Sequence, residues 1–135
     1  MTEPYAALAS ISPDERGDRR LVWGDYEFIV GELGDAPEDI ALFNDTVRSY
    51  AEALPGIISA IVELYPPDWE VTEERVRAEL GAPKVHLRPT APEEIREWYG
   101  DITLTYLEHE FDYSHIIDVS CSGSVRTILN VSMDG

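Results

Sequence analysis

This chain of 135 residues has one cysteine, Cys121, so no internal disulfide can form, and a reducing cytosol is its simplest home. It has one lysine, Lys84, and only 10 basic residues against 27 acidic ones, a formal net charge of −17. The deficit is local. Leu21 to Glu74 holds 13 acids and a single base, Arg48, while Glu97 to Val125 holds six acids and no lysine or arginine. Such a surface repels nucleic acid and anionic membranes and attracts basic partners. Long apolar runs are absent too. The longest, around Ile57 to Val62, falls far short of the ~20 residues that span a bilayer. The N-terminus does not show the basic-then-apolar pattern of a signal peptide, so a cytoplasmic protein is expected. No glycine loop could cradle a phosphate, because Gly31 and Gly34 precede a helix without Walker or Rossmann spacing, and no cofactor is implied.

What is present is a well-patterned fold. The length suits one domain, 1–135, with residues 1–18 as an N-terminal arm of little regular structure docked through Leu8 and Ile11. Leu21–Trp23 and Tyr26–Val30 read as a hairpin, and Gly24 comes first in its turn as type II′ requires. Asp35 and Glu38 form a capping box for a helix whose apolar face is Ile40, Phe43, Val47, Tyr50 and Leu54. Pro55-Gly56 is expected to break or kink it. A short helix follows over Thr72–Leu80 with Gly81 as its cap, then a brief strand at Val85 and Leu87. Thr90 and Glu93 make a second capping box, for a helix with Ile95, Trp98 and Tyr99 as its apolar side.

The last third reads as three strands. Ile102, Leu104 and Tyr106 alternate with threonines, and Ile117, Val119 and Cys121 alternate with Ile116, Asp118 and Ser120. Val125, Thr127, Leu129, Val131 and Met133 alternate with Arg126, Ile128, Asn130 and Ser132 after a turn at Ser122-Gly123-Ser124. Strands and helices in blocks predict an α+β domain: a mainly antiparallel sheet of five to six strands, helices packed on one face, and a C-terminal three-stranded meander.

The chemistry is sparse. His109, Glu110, Asp112 and His115, between the first two of these strands, are plausible ligands for zinc or another divalent ion. Their spacing is not the helical H-E-x-x-H arrangement, and an acidic turn is the plainer reading. His115 beside Asp112 or Asp118 has the makings of a general base, but its register puts it on the apolar face as a structural residue. Cys121 has no neighbours that would activate it and reads as a small core residue. Trp23, Trp69 and Trp98 default to the core, and Trp69, between prolines and acids, is the best candidate for an exposed anchor.

Tyr106, Phe111, His115-Ile116-Ile117-Asp118-Val119, Gly123 and Val131-Ser132-Met133-Asp134-Gly135 give the end of the chain a distinct order. It runs strand, aromatic, histidine, apolar strand, glycine turn, apolar strand, glycine. Over about a quarter of the chain it resembles an uncharacterised family of small bacterial cytoplasmic domains, similar to immunity proteins of polymorphic toxin systems. That resemblance implies an antiparallel sheet, no catalysis, and no catalytic residues to carry over. Together with the acidity it sets the main expectation: a non-catalytic binding protein that neutralises a basic toxin. The expected contacts are Asp39, Asp45 and Glu52 of the long helix, Trp69, and Glu108, Glu110 and Asp112. The alternatives are a metal protein or small enzyme using His109 to His115, and a structural adaptor subunit.

Overall fold

A computed structural model describes residues 3–107, 109 and 116–134. Six strands form one mixed sheet in chain order: β1 (Arg19–Trp23), β2 (Tyr26–Val30), β3 (Pro83–Leu87), β4 (Ile102–Tyr106), β5 (Ile116–Cys121) and β6 (Ile128–Asp134). Every neighbouring pair is antiparallel except β2 and β3, which the long helical connection makes parallel. The α+β class and the β4–β6 meander agree with the sequence pattern.

The helices are α1 (Pro4–Ala9), α2 (Pro37–Val62), α3 (Glu73–Glu79) and α4 (Glu93–Tyr99). The core lies between α1–α3 and one face of the sheet. Phe43, Val47, Tyr50, Ile57, Ile58 and Ile61 of α2 meet Phe28, Val85, Leu104, Tyr106 and Val119 there, all buried. At roughly 25 cal/mol per Å² of apolar area removed from water, this interface dominates stability.

Several local readings are corrected. The N-terminal arm is partly helical: α1 buries Leu8 and is tied to α2 where Asn44 Oδ1 accepts from the Tyr5 amide at 2.8 Å. α2 runs unbroken through Pro55. Pro55 and Gly56 both face solvent, where water can satisfy the carbonyl that proline leaves without its bond. The buried stripe resumes at Ile57. Neither capping box forms, because Ala36 and Pro92 take the N-cap positions without side-chain bonds. Thr72 does cap α3, accepting from the Arg75 amide at 3.1 Å. Leu80 rather than Gly81 sits at the C-cap of α3. A register shift beside Ser120 and Cys121 interrupts the expected phase at the start of β6, setting Ile128 rather than Leu129 against Cys121. Val131 and Met133 lean on the core, Leu129 turns outward, and Val125 is buried in the preceding turn.

Candidate functional site

Because all the core helices lie on one side, the other face of the sheet is open. Strand alternation sends every residue between the buried ones to that face. Register pairing aligns them in two rows across four strands: His86, Thr103, Ser120 and Asn130 in one, and Lys84, Thr105, Asp118 and Ser132 in the next. All of these except Lys84, with Arg88, Trp98, Tyr99 and Asp134, line a cleft of about 490 Å³.

α4 forms one wall. Its three apolar residues were expected to pack inward, yet Ile95, Trp98 and Tyr99 are 43%, 75% and 59% exposed. At seven residues α4 is too short to persist alone. Side chains of the sheet hold its C-terminal carbonyls. Arg88 Nη1 donates to the carbonyls of Tyr99 (3.1 Å) and Gly100 (3.2 Å) and to Thr103 Oγ1 (2.9 Å), and Asn130 Nδ2 donates to the Trp98 carbonyl. Gly100, at φ 70°, presses on the Cys121 backbone, where a Cβ would collide with the carbonyl oxygen. The apolar side of α4 is thus fixed outward by its attachment.

Thr105 Oγ1 donates to Asp118 Oδ1 at 2.6 Å. His86 is half-buried, and burial first, then the charges of Lys84 and Arg88, hold its pKa below the ordinary 6.5 against the pull of Asp118 and Asp18. It is a neutral imidazole near neutral pH. Cys121 is buried, which pushes its thiol up to about 11. Among the described residues, no three of histidine, cysteine, aspartate and glutamate gather closely enough to hold a metal ion. The arrangement offers hydrogen bonding and aromatic contact over a broad polar floor.

Among the described residues, none of the contacts expected from the sequence lies in this cleft. Asp45 and Glu52 sit two turns apart on one side of α2, on the helical layer, and Asp39 is about 120° round the helix from Asp45. Asp45 accepts a hydrogen bond from Ser49 Oγ, and Glu52 is engaged by Arg126 through Nη2 at 2.6 Å and Nε at 3.0 Å. Trp69, in a 3-10 turn (Pro67–Trp69), is 49% exposed with its ring 5.7 Å from that of Tyr65. Glu108, Glu110, Asp112 and His115 lie outside the described residues; His109 is half-buried. The sequence signal for the cleft was the polar half of each alternation, read only as the solvent side of strands.

Comparison with protein-family models, with curated proteins and with solved structures gave no match. Among the described residues no helix is long and apolar enough to cross a membrane.

Proposed function

We propose that this domain is a non-catalytic binding protein that captures a basic protein, in the manner of an immunity protein neutralising a toxin. The observation that carries the reading is the outward apolar side of α4. Ile95, Trp98 and Tyr99 are exposed and lie outside the core cluster, and such apolar patches mark interaction sites. Glu93, Glu94 and Glu97, all exposed on the same helix, give the cluster an acidic rim. That pairing of apolar centre and charged rim is the anatomy of a protein interface and selects a cationic partner. The net charge of −17 supplies long-range steering, and Asp45, on the helical layer, adds to that field.

The test begins with capture from a lysate of the source organism at low salt and elution with a salt step. The released basic protein is then purified and titrated against the wild-type chain and Trp98→Ala. Loss of affinity in the variant, with growth of cells making the partner rescued by the wild-type chain only, supports the reading. Equal affinity of both chains removes α4 from the interface. A captured protein that leaves growth unaffected refutes neutralisation.

A further inference from the structure

On the helical side of the sheet, α2, the β1–β2 turn and the connection from Leu80 to Pro83 surround a hollow of about 220 Å³. Its apolar wall is Tyr26, Tyr50, Leu54, Ile58, Leu80 and Pro83. No residue is shared with the sheet-face cleft, so the site is independent of the function proposed above. An apolar cavity of about 150 Å³ is large enough to take benzene, so this one has room for a single substituted ring.

Counting protons identifies the polar group such a ring would meet. The hydroxyls of Tyr50 and Tyr106 lie 2.6 Å apart, and among the described residues this is the only hydrogen bond either makes. Two hydroxyls carry two protons, and the bond uses one. Were Tyr50 the donor, the Tyr106 proton would be stranded in a wholly buried place, at a cost of about 1–3 kcal/mol. Tyr106 is therefore the donor, and the Tyr50 proton is left without an acceptor. Tyr50 is itself almost entirely buried, yet it lines the hollow. A buried donor calls for a partner. Arg77, Asp25 and Glu27, also along the lining, place both signs of charge at the site and favour a neutral occupant over an ion.

We infer that this hollow binds an uncharged, single-ring aromatic molecule bearing a hydrogen-bond acceptor, with the acceptor on the Tyr50 hydroxyl and the ring among Tyr26, Leu54, Ile58 and Leu80. Benzamide, which has the acceptor, and toluene, which lacks it, are the probes. Each is titrated into the methyl-labelled chain and followed by the methyl resonances of Leu54, Ile58 and Leu80. Benzamide is expected to shift these at millimolar concentration and to bind more tightly than toluene. Tyr50→Phe should weaken benzamide about five-fold and leave toluene unchanged. Ala82→Phe, which fills the hollow from the α3–β3 connection, should abolish both. Unmoved methyls at these positions overturn the site. Equal binding of the two probes by the wild-type chain overturns the role of Tyr50, and does so even if Tyr50→Phe fails to fold.

Discussion

Asn130 Nδ2 donates to the main-chain carbonyl of Trp98 at 3.2 Å. This bond ties β6 to the helix that carries the most exposed tryptophan among the described residues. The aromatic ring is held out by its backbone while making little core contact of its own. Its removal should therefore leave stability within about 0.5 kcal/mol of wild type, as for surface positions generally. Partner affinity, by contrast, should fall by about 2 kcal/mol or more, as for an interface anchor. Denaturant unfolding and calorimetric titration of Trp98→Ala check both halves. A large loss of stability would make Trp98 a structural residue.

Asp45 and Glu52 are not equivalent, although they share a side of α2. Glu52 is already matched by Arg126, whereas Asp45 meets a neutral serine. Both members of the Glu52–Arg126 pair are well exposed, so its contribution to stability is at most about 1 kcal/mol. Asp45→Asn combined with Glu52→Gln should slow association with the captured partner and flatten its salt dependence. Arg126→Ala should speed association by restoring one uncompensated negative charge. Stopped-flow rates at several salt concentrations decide this. An unchanged rate in the double variant would mean that α2 has no part in steering.

The sheet was legible because alternation has a strict period. Ile102, Leu104, Tyr106, Ile117, Val119 and Cys121 were placed on one face from sequence and are all buried. In β6 the same rule held at Val131 and Met133 and failed at Leu129, because a register shift sets Ile128 against Cys121 and leaves no mark in composition. Pro55 was read as a break or kink because propensity assigns its cost to the helix interior, yet α2 continues through it, since the cost is small where the freed carbonyl meets water. The candidate site was hidden for a different reason. Whether Ile95, Trp98 and Tyr99 face the core or the solvent depends on how α4 is hung from Arg88, Asn130 and Gly100, contacts between residues distant in sequence.

Gly100 offers a direct test of that suspension. At φ 70° and against the Cys121 carbonyl, it has neither the conformational freedom nor the space for a Cβ. Gly100→Ala should cost about 3 kcal/mol in denaturant unfolding, combining backbone strain with displacement of β5. A cost below about 1 kcal/mol would show that the α4–β4 junction is free to move.

His86 reports the electrostatics of the cleft. Its pKa is lowered by burial and by Lys84 and Arg88, so the folded chain prefers the neutral imidazole. The associated stability is present above the ordinary value of 6.5 and is lost as pH falls below it. In an NMR titration the His86 ring should protonate below that value. Arg88→Ala should move its midpoint upward, and Asp118→Asn should move it further down. A midpoint insensitive to both would mean that the rows do not act on each other.

Tyr50 and Tyr106 lead to a prediction at the alkaline end. Burial raises the Tyr50 pKa to about 12 and that of Tyr106 well above 10, while Cys121 is raised to about 11. Each group is held protonated in the folded chain and ionises sooner in the unfolded one. The stability they confer is fully present below the unfolded values, 9.0 for the thiol and 10.0 for the phenols, and is lost as pH rises through the folded values. The unfolding midpoint should therefore be level from neutrality to about pH 9 and fall beyond it. The pair itself should behave asymmetrically. Tyr50→Phe strands the proton of a wholly buried Tyr106 and should cost about 1–3 kcal/mol, whereas Tyr106→Phe leaves the hydroxyl of Tyr50, a residue of the hollow's lining, and should cost less. Replacing both removes the stranded group altogether, so the double variant should be at least as stable as Tyr50→Phe and lose less stability above pH 10. If the two single costs are equal, the hollow gives the Tyr50 hydroxyl no advantage over the wholly buried Tyr106 hydroxyl.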